Sequence, residues 1–140
     1  MEISGLIDFL SSDKSYWSSR GHEEVRIPFE VTSLEYLSFA EYDLKFGVEK
    51  HKLINALSNA KRSLDCQIDS LFVAFGLYDL AKRKGWSIPK KLETLKLLGI
   101  LAPRILSKIN SIRNLMEHQY IVPNEEQVTD FIDIAALFLA

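Results

Sequence analysis

The residues best suited to chemistry lie in one short stretch near the end of the chain, residues 112–120. Within it are a cation, an amide, a carboxylate, an imidazole and a phenol, supplied by Arg113, Asn114, Glu117, His118 and Tyr120. Arginine presents a fixed fork of donors that matches a phosphate, and it keeps its charge at any physiological pH. Histidine can give or take a proton near neutral pH. These residue types favour phosphodiester chemistry that needs no metal ion.

The position of Arg113 in its predicted helix also indicates a site. Apolar residues recur at helical spacing and form one stripe, made by Ala102, Ile105, Leu106, Ile109, Ile112 and Met116. Arg113 falls on that stripe, where a guanidinium is costly unless it is paired or faces a cleft or a partner chain. An ideal helix also rotates Arg113 and His118 roughly 140° apart. Either the helix is distorted or ends near His118, or the arginine reaches round, or a second subunit completes the site.

The pattern Arg113-Asn114-x-x-x-His118-x-Tyr120 resembles the Arg-x4-His motif of HEPN (higher eukaryotes and prokaryotes nucleotide-binding) domains. Its His-x-Tyr ending is similar to the ending of the motif in the toxin branch of these domains. The resemblance covers roughly residues 33 to 139, and its residue-level match is confined to 113–120. It implies a small all-α domain, commonly a homodimer, whose active members are metal-independent endoribonucleases.

The resemblance also implies roles for the residues of the motif. His118 would transfer a proton at the 2′-hydroxyl or at the leaving 5′-oxygen. Arg113 would hold the phosphate and stabilise charge on its non-bridging oxygens, with Asn114 and Glu117 in supporting positions. Tyr120 matches the tyrosine to which a partner nucleotidyltransferase antitoxin adds AMP. We expect no metal and no cofactor, and products with 2′,3′-cyclic phosphate ends.

Two other interpretations of the motif remain open. In a noncatalytic HEPN module that binds a nucleotide or a nucleotidyltransferase, Arg113 would serve a ligand phosphate or a dimer interface. In a structural helical adaptor, Arg113 would form a buried ion pair. Asp65 and Asp69 lie four residues apart on one helix face, and they either make ordinary surface ion pairs or include the partner that orients Arg113 or His118.

Charge is distributed unevenly along the chain, although the net charge is only −2. Residues 82–113 contain nine basic residues and one acidic residue, whereas residues 1–44 have a net charge of −6 and residues 117–140 of −5. A basic segment leading into the motif suits RNA binding, and the candidate contacts are Lys90, Lys91, Arg104 and Lys108. Lysines near helix ends that merely face solvent would give the same pattern.

Length and composition limit the remaining possibilities. A chain of 140 residues with 47% hydrophobic residues predicts one globular domain. Cys66 is the only cysteine, which excludes an internal disulfide and favours an intracellular setting. We find neither a secretory signal pattern nor an apolar run long enough for a membrane span. The expected location is the cytoplasm.

The helical pattern predicts an all-α antiparallel bundle of four to five helices with a long central helix. A first helix begins at Thr32 or Ser33 and stops at Gly47, and a long second helix runs from Val48 to about Lys84, with a close crossing or mild bend at Gly76. Shorter helices follow, and a capping box at Asn124 opens the last. We divide the chain into an irregular N-terminal extension (1–32) packed on the bundle and a helical domain (33–140).

Overall fold

The computed structural model describes residues 25–100 and 120–140, together with five positions of the intervening segment, Arg104, Lys108, Ser111, Ile112 and Asn114. All regular structure in these residues is α-helical, which confirms the predicted fold class. The complete helices are α1 (Ser33–Phe46), α2 (Glu49–Ala74), α3 (Tyr78–Arg83), α4 (Ile88–Leu97) and α5 (Glu125–Leu139). Residues 25–31 lie in neither a helix nor a strand.

The first and last helices begin at capping boxes, one predicted at Asn124 and one at Thr32, where the sequence predicts a cap at Thr32 or Ser33. At α1, the Glu35 amide donates to Thr32 Oγ1 at 3.2 Å, and the Thr32 amide donates to Glu35 Oε2 at 2.7 Å. Asn124 and Gln127 make the same reciprocal pair at α5, at 2.8 and 3.0 Å. Each box satisfies two amides that would otherwise lack a partner at a helix start. The predicted starts of α1 and α5 are therefore confirmed.

The predicted second helix is wrong in one respect, because it does not continue to Lys84 but ends at Ala74. Gly76 has a φ of +71°, a left-handed conformation that glycine adopts without steric cost. Its amide donates to the Val73 carbonyl at 3.1 Å, and the next amide, of Leu77, donates to the Phe72 carbonyl at 2.8 Å. These two bonds are the Schellman arrangement that terminates a helix. The same pair of bonds ends α3 at Gly85 and α4 at Gly99.

Helices α1 and α2 form a hairpin whose two arms run in opposite directions. Near the start of α1, Ser63 Oγ donates to the Ser33 carbonyl at 2.7 Å, and Ser33 Oγ donates to Gln67 Oε1 at 2.9 Å. Farther along, Asn59 Nδ2 donates to Asp43 Oδ2 at 2.7 Å. Later residues of α1 thus pair with earlier residues of α2, which fixes the register of the hairpin.

Helix α5 packs on α2 and runs in the same direction. Lys52 Nζ, near the start of α2, lies 3.5 Å from Glu125 Oε2 at the start of α5. Farther along, Gln67 and Leu71 of α2 line a cavity together with Leu137 and Phe138 of α5. Alternate helices of an up-and-down bundle have this relation.

The core is centred on one face of α2. Its buried apolar residues fall on successive turns, at Ala56 and Leu57 and then every three or four positions at Ala60, Leu64, Ile68 and Phe72. Helix α5 contributes Val128, Phe131, Ile132 and Ala135 to the same cluster. Helical spacing in the sequence predicts the buried face from Leu57 to Phe72, whereas Ile54 and Phe75, which share that spacing, are 42% and 37% exposed. None of the described helices is both long enough and apolar enough to cross a membrane.

Gly47, which joins α1 to α2, provides a test of the hairpin. A Cβ at this position would lie 2.5 Å from the Asp43 carbonyl oxygen and would also collide with Lys52 Cβ. We expect Gly47→Ala to lower the free energy of unfolding by about 1–3 kcal/mol, because backbone atoms would have to move apart. Urea denaturation measures the change. A loss below about 0.5 kcal/mol would contradict the close approach.

Candidate functional site

Three residues of the predicted site, Arg113, Glu117 and His118, lie outside the described residues. The helical segment that carries the motif is described at five positions, of which four are exposed: Arg104, Lys108, Ser111 and Asn114. The fifth, Ile112, is half-buried and packs against the core cluster. At these positions the polar side chains are exposed, and Ile112, which belongs to the predicted apolar stripe, is half-buried. Asn114 is open to solvent.

Tyr120, the last residue of the motif, is almost completely exposed. Its side chain has 92% of its surface accessible, and its φ is +51°. A tyrosine rarely adopts this left-handed conformation, which is enriched in turns and at functional positions. The phenol is therefore open to a modifying enzyme or to a ligand, and its ring makes little contribution to the packing of the fold.

An apolar groove of about 190 Å³ lies beside Tyr120. Its other lining residues are Ile54 from α2 and the three residues that follow the tyrosine, Ile121, Val122 and Pro123. Ile121 and Val122 remain 53% and 38% exposed, and Ile54 is 42% exposed. The sequence motif did not predict this groove. The only signal in the sequence is the run Ile121-Val122-Pro123, placed directly after the motif with no polar residue between.

Asp69, one of the two aspartates considered as partners for the motif, forms an ion pair across helices. Its Oδ1 accepts a hydrogen bond from Lys91 Nζ at 2.7 Å, and both side chains are partly buried, at 27% and 15% exposure. The pair joins α2 to α4. Lys91 therefore has its charge compensated within the chain, which makes it the weakest of the predicted RNA contacts. Asp65 is partly buried on the same helix, and its orienting role stays a prediction.

The other predicted cations differ in their accessibility. Lys90 is partly buried, with its Nζ 5.8 Å from the centre of the Trp86 ring. Exposed cations in the described part of the basic segment are Lys82, Arg83, Lys84, Lys96, Arg104 and Lys108. Lys82, Arg83 and Lys96 occupy the last turns of α3 and α4, where a cation interacts favourably with the helix dipole. Arg104 and Lys108 are therefore the predicted RNA contacts with the clearest access to a ligand.

Cys66 lies in a second cleft, between α2 and the residues that precede and begin α1. The cleft has a volume of about 450 Å³ and is lined by Pro28, Phe29, Glu30, Val31, Tyr36, Cys66 and Asp69. Cys66 Sγ lies 3.6 Å from the Val31 carbonyl oxygen. Burial raises the pKa of the thiol; a hydrogen bond with Ser70 opposes the shift, and the nearby carboxylates of Asp69 and Asp65 add to it. The thiol is therefore held in its protonated, unreactive form at neutral pH.

We expect Cys66 to react slowly with iodoacetamide at pH 7–8 in the folded protein. The raised pKa lowers the thiolate fraction below that of a free cysteine, so the rate should keep rising at pH values above the usual cysteine pKa. Mass spectrometry of the alkylated chain gives the rate, and denatured protein at the same pH is the control. Equal rates in folded and denatured protein would contradict the shift.

Known proteins offer no further guidance to the site. No family model, curated protein or solved structure matches the chain. Among the described residues, no three His, Cys, Asp or Glu side chains converge as metal ligands. The HEPN resemblance therefore rests on the motif alone and stays a prediction.

Proposed function

We propose that this chain is a metal-independent endoribonuclease of HEPN type, acting as a toxin or defence effector in the cytoplasm. The observation that carries the proposal is the spacing of Arg113, Asn114, His118 and Tyr120. Supporting it, the described residues are all-helical, and the exposed motif residue Asn114 lies in helical backbone. An all-helical scaffold with an Arg-x4-His helix is the architecture that the resemblance implies.

The proposed reaction is cleavage of an RNA phosphodiester by its own 2′-hydroxyl. The 2′-oxygen loses its proton and attacks phosphorus, the bond to the 5′-oxygen breaks, and that oxygen takes up a proton. His118 performs one of these proton transfers, which an imidazole can do near its normal pKa. Arg113 binds the non-bridging oxygens, on which negative charge increases in the transition state. The products are a 2′,3′-cyclic phosphate and a 5′-hydroxyl.

The exposed cations of the basic segment support a polyanionic substrate. Arg104 and Lys108 are exposed on the helical segment that leads into the motif, and Lys82, Arg83 and Lys84 are exposed at the end of α3. Each phosphate that these cations neutralise releases counterions from the nucleic acid. Binding should therefore weaken steeply with salt.

The test of the proposal is cleavage of a labelled single-stranded RNA by the wild-type protein in EDTA. We expect cutting in the chelator, cyclic phosphate ends on the products, and no cutting of the same sequence made with 2′-deoxynucleotides. Strong inhibition by EDTA, or equal cutting of the deoxy strand, would overturn the mechanism. Absence of cutting by folded, unmodified protein across several RNAs would favour the noncatalytic binding module instead.

The exposure of Tyr120 supports a second part of the proposal, control by a partner nucleotidyltransferase. The phenol is 92% exposed, so a second enzyme can reach it without unfolding the chain. An added AMP would bring a phosphate next to the motif, where Arg113 could pair with it. Coexpression with a candidate transferase, followed by intact-mass measurement of wild type and Tyr120→Phe, tests this step.

We also propose that the protein acts as a homodimer. The basis is the resemblance and the apolar surroundings predicted for Arg113, which a second subunit could complete. Multi-angle light scattering of the purified chain measures the oligomeric state directly. A monomer at assay concentration would remove the shared-site interpretation of Arg113.

A further inference from the structure

We propose that Tyr120 and the apolar groove beside it bind one nucleobase of the RNA strand, next to the phosphate that is cleaved. This inference rests on the proposed nuclease function and assigns a base-binding subsite to it. The subsite consists of the Tyr120 ring and the residues Ile54, Ile121, Val122 and Pro123.

The first argument is that the Tyr120 ring is available and is not needed for folding. At 92% exposure, the ring has almost its whole surface free to stack on a ligand. Proteins that bind single-stranded nucleic acid commonly stack bases on exposed aromatic rings, and such contacts tolerate any base. The φ of Tyr120, +51°, places its backbone in the left-handed region, which a tyrosine adopts at a steric cost. Because the ring is so exposed, its packing against the protein does not offset that cost.

The second argument is the chemistry and size of the groove. Its described lining is one phenol and four aliphatic residues, and none of them is charged. Among the described lining residues a phosphate would find no cation, whereas a flat, largely apolar ring could bury its faces against them. With a volume of about 190 Å³, the groove has room for one base rather than for a folded peptide segment.

The third argument is placement along the chain together with charge complementarity. Tyr120 follows His118 by two residues, so their Cα atoms are at most about 7 Å apart. This separation is comparable with that between a phosphate and its adjacent base. The exposed cations Arg104 and Lys108 belong to the basic segment, whereas the described residues that line the groove carry no charge. An RNA strand is divided in the same way, with charged phosphates on one side and bases on the other.

The test measures binding of an uncleavable single-stranded RNA, blocked by 2′-O-methyl groups, to variants of the subsite. We expect Tyr120→Ala to raise Kd by about 5–150-fold, the range for loss of one stacked base, and Tyr120→Phe to stay within about twofold of wild type. Ile121→Asp should also weaken binding, because it places a charge in the groove. The matched controls are Tyr42→Ala and Leu137→Asp, at residues that are 63% and 72% exposed elsewhere. Both should bind like wild type.

Either of two results would overturn the subsite. Tyr120→Ala could bind as tightly as wild type, or Tyr120→Phe could lose as much affinity as Tyr120→Ala, which would assign the effect to the hydroxyl. Wild-type protein that binds no RNA would overturn it as well. Failure of the nuclease proposal looks different, since RNA would still bind in a manner sensitive to Tyr120→Ala but would not be cut. Circular dichroism melts of each variant show that the fold is retained.

Discussion

Replacement of His118 by alanine is expected to lower the kcat of RNA cleavage by about 10²–10⁴-fold, the contribution typical of a positioned acid or base. KM should change little, because the proposed mechanism assigns phosphate binding to Arg113 and not to the imidazole. The comparison requires initial rates at saturating RNA, in EDTA, for both proteins. If His118 transfers a proton, the wild-type rate should also show a pH dependence that the variant lacks.

The matched control for this change is His51→Ala. His51 is exposed at the start of α2, far along the chain from the motif, so its loss should leave kcat unchanged. A variant at His118 with undiminished kcat would remove the residue from the proposed mechanism. Equal losses at both histidines would point to a general effect on the protein, and no loss at either would point to a contaminating nuclease.

Arg113 offers a companion test in which geometry and charge are separated. Arg113→Ala should lower kcat by about 10²–10³-fold, as when one stabiliser of transition-state charge is lost. Arg113→Lys keeps the charge but not the planar fork, so we expect only partial recovery. Arg62→Ala is the control, because Arg62 is exposed and donates a long 3.4 Å hydrogen bond to Asn59 Oδ1.

The second large effect concerns stability and is expected for Phe72→Ala. Phe72 is fully buried in α2, and its ring meets Trp86 edge to face, with the ring centres 6.2 Å apart. Removing a buried phenylalanine costs about 3–5 kcal/mol, a large part of the 5–15 kcal/mol typical of a whole domain. The free energy of unfolding in urea should fall by that amount.

The control for the stability test is Phe39→Ala. Phe39 is 46% exposed on α1, so its removal should cost less than about 1 kcal/mol. Because Phe72→Ala could leave too little stability to measure, Phe72→Leu gives a second point with a smaller expected loss. Equal costs at Phe72 and Phe39 would contradict the assignment of Phe72 to the core.

The features that the sequence predicts correctly are mainly local ones, which depend on residues close together in the chain. The capping box at Asn124 involves positions three apart, and Thr32 is itself a favoured cap residue, so both helix starts could be recognised from the sequence. The end of α2 could not, because apolar residues continue at helical spacing through Phe75 and Tyr78 and conceal the break. A glycine within a helical pattern is compatible with either a bend or the end of a helix. At Gly76 the Schellman hydrogen bonds show that the helix ends.

Features that join distant parts of the chain escaped sequence reasoning. Asp69 pairs with Lys91, 22 residues away, although cations on its own helix offered a simpler choice. The groove beside Tyr120 needs Ile54 from α2, which no local pattern associates with the motif. The residue types at the candidate site could thus be recognised from the sequence. The groove beside it depends on how α2 packs against the segment that precedes α5.

The two-residue connection between α1 and α2 has a consequence for the order of folding. Gly47 and Val48 are the only residues between the two helices. Contacts between α1 and α2 therefore close a short loop, which costs little entropy. Helix α5 must instead return from the far end of the chain to reach α2. The hairpin should therefore form in the folding transition state, and α5 should dock afterwards. Substitutions at Leu57 would then slow folding, whereas substitutions at Phe131 would mainly accelerate unfolding.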